Sequence, residues 1–207
     1  MGYKIIIALD SVVVGKALKI ARLLSGKVWG FKFNDLLHDS KFNIKYFKKY
    51  GRVFADVKLH DIPNTVTNSV RQLSRQGADI ITVHASGGIK MMKSAVTSAG
   101  RSKIVAVTVL TSIGGNPKKE VLKLVGDAQK AGVYGVVCSG HELKFLKKSK
   151  LMKIVPGIRP EKYRKKDDQK RTITPQRAVA FGADFLVIGR PITGAKDPKE
   201  ALSRLWS

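Results

Sequence analysis

Alternating charges interrupt one otherwise apolar segment of the sequence. Asp56 and Lys58 are two positions apart, so on a β-strand their side chains lie on the same face. The apolar residues Val57 and Leu59 then lie on the opposite face, where they can pack against the rest of the fold. Because buried charges are costly unless they are paired, an Asp–Lys pair on a strand indicates a polar site.

Two further charges extend this pair into a set of four. Lys32 lies in another apolar run, and Asp61 lies in the turn before the helix that Pro63 begins. We expect Lys32, Asp56, Lys58 and Asp61, which alternate in sign, to form a charge network around one small site. A fixed ammonium group there can stabilise developing negative charge and then deliver a proton. A purely structural cluster of ion pairs is the alternative.

Short runs rich in Val and Ile are predicted to be the strands that position these charges. The runs are nearly continuous in apolar character, which is typical of parallel strands buried on both faces. They are Lys4–Asp10, Trp29–Asn34, Arg52–Leu59, Asp79–Ala85, Lys103–Leu110, Tyr134–Ser139, Met152–Ile158 and Asp184–Gly189.

Amphipathic segments alternate with these runs and predict helices. They are Val13–Leu24, Ile44–Tyr50, Thr65–Gln76, Ile89–Ser98, Lys119–Ala131, Glu142–Lys148, Pro175–Phe181 and Pro198–Trp206, and several are followed by Gly, a common helix stop. The pattern predicts an α/β fold, a (β/α)8 TIM barrel, with one domain over residues 1–207. An open doubly wound sheet is the alternative, although no Gly-x-Gly-x-x-Gly motif follows the first run.

In a barrel, chemistry belongs at the carboxyl ends of the strands. Polar or unusual residues collect at those predicted ends. They are Asp10, Lys32, Asp56, Lys58, His60, Asp61, His84, Thr111, Ser112, Pro156, Arg159, Gly189 and Arg190. We therefore expect one site that draws residues from most of the strands.

The charge balance of the chain is strongly basic. Lys and Arg total 39 against 15 acidic residues, a formal net charge of +24 that would suit a nucleic-acid partner. The excess is mostly dispersed lysine, however, and the sequence contains no interleaving of basic and aromatic residues for stacking bases. We expect no nucleic-acid partner, and a positive field that speeds the capture of small anions.

Other composition features predict a soluble cytoplasmic protein. The single cysteine, Cys138, excludes an intrachain disulfide and argues against a thiolate metal cluster. No apolar run approaches the roughly 20 residues of a membrane span, so we expect no membrane association. The amino terminus lacks the features of a secretion signal.

The motifs together resemble those of the orotidine 5′-phosphate decarboxylase family. Residues 56–65 read Asp-x-Lys-x-x-Asp-Ile-x-x-Thr, and Ala-Leu-Asp precedes them at residues 8–10. Pro-Gly-Ile-Arg-Pro at 156–160, Asp-Gln-Lys-Arg at 168–171 and Val-Ile-Gly-Arg-Pro-Ile-Thr at 187–193 follow. The resemblance covers essentially the whole chain. It implies conversion of orotidine 5′-monophosphate to uridine 5′-monophosphate and CO2 in pyrimidine biosynthesis, with no cofactor.

The resemblance also implies a role for individual residues. Lys58 would protonate C6 of the pyrimidine, Asp56 would lie beside the substrate carboxylate, and Asp61 would reach into the site of the partner in a homodimer. The remaining contacts would be to the ribose from Asp10, Lys32 and, from the neighbouring subunit, Thr65, and to the pyrimidine from Thr111 and Ser112. The phosphate-side residues would be Arg159, Gln169, Gly189 and Arg190, and Pro156 would also belong to the substrate-binding site. An unusually basic stretch at 161–166 departs from the family pattern and makes the assignment of Gln169 the least direct.

Two other functions remain open at this point. A sugar-phosphate enzyme of the same suprafamily, a 3-keto-gulonate 6-phosphate decarboxylase or a hexulose phosphate synthase, would use the Asp-x-Lys-x-x-Asp frame with Mg²⁺. Those enzymes typically have an acidic residue at the position of Lys32, whose positive charge would repel a metal. A non-catalytic, nucleic-acid-binding barrel is the more distant alternative.

Overall fold

Eight parallel strands form a closed barrel in the part of the chain that the structure describes. The computed structural model describes residues 4–109, 117–161, 163 and 171–206. The strands pair in chain order, and the last pairs with the first. They are β1 (Lys4–Ala8), β2 (Gly30–Phe33), β3 (Arg52–Leu59), β4 (Ile80–His84), β5 (Lys103–Val107), β6 (Gly135–Val137), β7 (Met152–Val155) and β8 (Phe185–Ile188). The predicted (β/α)8 barrel is confirmed.

Helices occupy most of the crossovers between strands. They are α1 (Val14–Leu24), α2 (Ile44–Lys48), α3 (Pro63–Gln76), α4 (Gly88–Ser98), α5 (Lys118–Ala131), α6 (Pro175–Ala180), α7 (Arg190–Thr193) and α8 (Pro198–Ser203). Helix α3 ends at Gln76 and is capped by Gly77, whose φ of +103° is the left-handed geometry for which glycine is suited. None of the helices in the described ranges is long and apolar enough to cross a membrane.

The predicted helix Glu142–Lys148 is wrong. The structure has only a 3₁₀ turn at Leu143–Phe145. Glu142 is buried, and its carboxylate accepts bonds from the Ser139 N–H at 3.0 Å and from Arg171 Nη1 at 2.6 Å. These contacts tie Glu142 to Arg171, which is distant in the sequence. The apolar periodicity of residues 142–148 therefore does not produce a helix. The short helix α7 was not predicted.

Two apolar layers surround the strands and leave one end of the barrel polar. The outer layer packs the strands against the helices, and the inner layer fills the lumen with Ile6, Ala8, Phe54, Ile80, Val105, Ile154, Phe185 and Val187. Two residues beyond Ala8, Phe54 and Ile80, the same inward phase carries Asp10, Asp56 and Thr82. The apolar plug therefore gives way to polar side chains at the carboxyl ends of the strands.

Candidate active site

A cavity of about 490 Å³ opens at the carboxyl ends of the barrel strands. That volume is in the usual range for small-molecule sites. Its wall has apolar parts and charged parts, and the charged and loop residues include Asp10, Ser11, Lys32, Asp56, Lys58, Pro156, Arg159, Gly189 and Arg190. Most site residues predicted from the sequence thus face one cavity.

Four charged side chains form a continuous row in this cavity. Lys32 Nζ lies 2.5 Å from Asp10 Oδ2 and 3.0 Å from Asp56 Oδ2. Lys58 Nζ lies 2.9 Å from the same Asp56 oxygen. The order Asp10, Lys32, Asp56, Lys58 alternates in sign, so every neighbouring pair attracts.

Burial and these pairings act in opposite directions on the pKa values of the two central groups. Burial alone would raise the pKa of Asp56, but the ammonium groups of Lys32 and Lys58 outweigh it and hold that pKa below its usual value. Burial alone would lower the pKa of Lys32, but the carboxylates of Asp56 and Asp10 outweigh it and raise that pKa. Both groups are therefore charged at neutral pH.

Strand β3 is irregular where it carries Asp56 and Lys58. It pairs with β4 at Ala55–Ile81 and next at Leu59–Val83, so residues 56–58 lie opposite the single residue Thr82. Lys58 has φ +50°, a left-handed conformation that is uncommon for a residue other than glycine. The Asp56–Lys58 contact is thus made across a bulge and not along a regular strand.

Asp61 lies outside this row within one chain. Its carboxylate is exposed and accepts a bond from the Ile62 N–H at 2.6 Å. The expected network of Lys32, Asp56, Lys58 and Asp61 is therefore not formed by a single chain, because Asp61 lies past the strand in the turn before α3, and Asp10 is the fourth member instead. Thr65, in the first turn of α3, is also exposed.

The residues predicted for the phosphate side approach the cavity from the ends of β7 and β8. Arg159 is buried, with its guanidinium 5.7 Å from the centre of the Tyr163 ring, and Arg190 begins α7 and is exposed. Two cations therefore line the cavity at the ends of β7 and β8, and β7 lies across the barrel from β3. The predicted residues Thr111, Ser112 and Gln169 lie outside the described residues.

Two polar residues of the site were missed at the level of sequence. Asn34 donates its side-chain amide to the Asp56 carbonyl at 2.6 Å, and its N–H donates to Asp10 Oδ1 at 3.1 Å. The Thr82 hydroxyl contacts Asp56 and the backbone of Lys58. The sequence carried a signal for Thr82, because it is a polar residue between Ile81 and Val83 in an apolar strand, at a position that faces the inside of the barrel.

The described acidic and histidine residues do not gather into a metal-type cluster. Among them there is no group of three or more His, Cys, Asp or Glu side chains that could hold an ion. In the cavity, the ammonium of Lys32 lies between the carboxylates of Asp10 and Asp56 and contacts both.

Comparison with known proteins identifies the family. A model of the "Orotidine 5′-phosphate decarboxylase / HUMPS family" matches residues 3–205. The orotidine 5′-phosphate decarboxylase of Novosphingobium aromaticivorans is 38% identical, covering 97% of this chain and 96% of the relative. That of Dichelobacter nodosus is 40% identical over 98% and 97%. The crystal structure of the Lactobacillus acidophilus enzyme has a TM-score of 0.84 and 33% identity, covering 99% of this chain and 97% of that one. The chain belongs to the orotidine 5′-phosphate decarboxylase / HUMPS family.

Proposed function

We propose that this chain converts orotidine 5′-monophosphate to uridine 5′-monophosphate and CO2, a step of pyrimidine biosynthesis. The observation that carries the proposal is the row Asp10, Lys32, Asp56 and Lys58 in a cavity that also faces Arg159 and Arg190. An ammonium group held by a carboxylate at one end, with cations for a phosphate at the other, matches the reaction of the relatives named above.

Lys58 acts as the proton donor. The bond between C6 and the carboxylate breaks, CO2 leaves, and the electron pair remains on C6. The ammonium of Lys58 stabilises that developing negative charge and then transfers a proton to C6, after which the neutral amine regains a proton from solvent. The site contributes to this step by positioning the proton donor, because Lys58 Nζ is held 2.9 Å from Asp56.

Asp56 has two effects in this scheme. It holds Lys58 in place, and Lys32 in turn holds Asp56 from the other side. It also places a negative charge beside the substrate carboxylate, and that repulsion is relieved as neutral CO2 departs. The lowered pKa of Asp56 keeps this charge present at neutral pH.

The remaining contacts bind the nucleotide away from the reacting carbon. Asp10 and Lys32 bind the ribose, and Arg159, Gln169 and Arg190 bind the phosphate with Pro156 and Gly189 beside it. Thr111 and Ser112 contact the pyrimidine. Binding energy at the phosphate can be used to order the loops around the reacting carbon.

A homodimer with shared sites completes the proposal, with Asp61 and Thr65 acting in the partner's site. Its support in the structure is the turn before α3, where Asp61 is exposed and the neighbouring Ile62 leaves 66% of its surface uncovered. An exposed carboxylate beside an exposed branched aliphatic residue suits an interface.

The proposed compartment is the cytoplasm, in keeping with a chain whose one cysteine is buried and unpaired.

The experiment that tests the proposed function is an ultraviolet assay of orotidine 5′-monophosphate loss with EDTA present. We expect full activity after chelation, because Lys32 lies where a divalent ion would bind between the carboxylates. Loss of activity that Mg²⁺ restores, or turnover of keto-sugar phosphates in place of the nucleotide, would move the assignment to the metal-dependent relatives.

A further inference from the structure

Thr82 contacts both Asp56 and Lys58 through its one hydroxyl group. It lies on β4 with no exposed surface, inside the barrel. Its Oγ1 donates to Asp56 Oδ1 at 3.0 Å and accepts from the Lys58 N–H at 2.9 Å. A hydroxyl has one proton to donate and lone pairs to accept, so both bonds can exist at once.

The bond to Asp56 sets the direction of its carboxylate. The other oxygen, Oδ2, contacts both Lys32 at 3.0 Å and Lys58 at 2.9 Å. Oδ1 is buried and needs its own donor, since an unsatisfied buried oxygen is costly. By taking Oδ1, Thr82 keeps Oδ2 turned between the two ammonium groups.

The bond to Lys58 sets the backbone from which its side chain extends. The bulge in β3 removes the regular register with β4 at residues 56–58. The Lys58 N–H therefore bonds to the Thr82 side chain, and the left-handed φ of +50° needs such a contact to persist. The hydroxyl thus holds both ends of the Asp56–Lys58 contact.

We propose that Thr82 is a positioning residue for the reaction, which aligns the Lys58 ammonium with Asp56 by fixing the carboxylate of one and the backbone of the other. The inference rests on the proposed function and deepens it. Thr82 does not have to touch the substrate for this effect. The competing view is that the hydroxyl contributes only to stability.

Substitutions that remove or keep the hydroxyl separate these two views. Thr82→Val has nearly the same shape without a donor or acceptor, and Thr82→Ser keeps both. The matched control is Ser102→Ala, which removes a buried hydroxyl at the opposite end of the barrel, where Ser102 Oγ donates to the Ala78 carbonyl at 2.7 Å. The rate should be expressed per active site, with sites counted by calorimetric titration with uridine 5′-monophosphate.

We expect Thr82→Val to lower kcat per site about 10- to 100-fold, because a small misplacement of a catalytic group has effects of that size. KM should change by less than about threefold, since the phosphate and ribose contacts remain. Thr82→Ser should restore most of the rate, and Ser102→Ala should leave kcat per site unchanged while lowering thermal stability.

A Thr82→Val variant with the kcat of Ser102→Ala, or equal losses in the Val and Ser variants, would overturn the proposal. If Thr82→Val does not fold, Thr82→Cys takes its place, because a thiol is a poor donor and acceptor of similar size. It should then be slower than Thr82→Ser, and equal rates would overturn the proposal. If the wild type does not turn over the nucleotide at all, the proposed function itself fails and the role of Thr82 falls with it.

Discussion

Lys58 and Asp56 meet at 2.9 Å across a bulge in β3, with the lysine in a left-handed backbone conformation. A regular strand would also place the two side chains on one face, but it would leave the backbone of Lys58 paired with β4. In the bulge, that backbone group is bound by a side chain instead. The geometry of Lys58, the proposed proton donor, therefore depends on β4 as well as on its own strand.

The lowered pKa of Asp56 predicts how its contribution to stability changes with pH. A carboxylate with a depressed folded-state pKa adds stability that is present above its unfolded pKa, about 3.9, and is lost as the pH falls through the folded value. The difference in unfolding free energy between the wild type and Asp56→Asn should therefore be constant from about pH 5 to pH 7 and shift in favour of the variant below about pH 4. Urea melts at several pH values measure it. A shift between pH 5 and pH 7 would show that the carboxyl takes up its proton there.

The buried pair of Glu142 and Arg171 predicts a second pH effect. Burial raises the pKa of Glu142, and the Ser139 N–H and Arg171 oppose that rise without cancelling it. Arg171→Met would leave a buried carboxylate without this cation, at a cost of about 3 kcal/mol at neutral pH. The loss should shrink as the pH falls, because protonation of Glu142 removes the buried charge.

Urea melts of Arg171→Met at pH 7.5 and pH 5.5 check this prediction. The matched control is Arg204→Met, which breaks an exposed pair with Glu200 at 2.6 Å and should cost about 0.5 kcal/mol or less. Equal losses in the two variants, or a loss that does not change with pH, would contradict the buried charge pair.

The proposed homodimer with shared sites predicts complementation between two inactive variants. In a mixture of Lys58→Ala and Asp61→Ala, each heterodimer has one site with both defects and one with neither. Heterodimers are half of a statistical mixture, so activity should approach about a quarter of wild type, by the symmetry of a two-fold dimer. The measurement is nucleotide turnover after verified subunit exchange. No recovered activity would mean that both groups act within one chain.

The sequence was sufficient for the barrel and for most of the charged row, but not for its details. The apolar runs, and the placement of Asp56 and Lys58 on the inward face of a strand, follow from local patterns, so they could be predicted directly from the sequence. The bulge was not visible, because strand alternation assumes a regular register. The helix expected at 142–148 failed because Arg171, almost thirty residues away, draws Glu142 inward. Likewise, the position of Asp10 beside Lys32 depends on the pairing of β1 with β2.

The most direct test of the account is the turnover of orotidine 5′-monophosphate by Lys58→Ala. The surface variant Lys48→Ala, which breaks an ion pair with Asp79 at 2.6 Å, is the control for losing a lysine. We predict that Lys58→Ala loses turnover while retaining its fold and its affinity for uridine 5′-monophosphate, and that Lys48→Ala keeps the wild-type rate. A Lys58→Ala enzyme that kept more than about a tenth of the wild-type kcat, a difference of about 1.4 kcal/mol in barrier, would contradict its role as the proton donor.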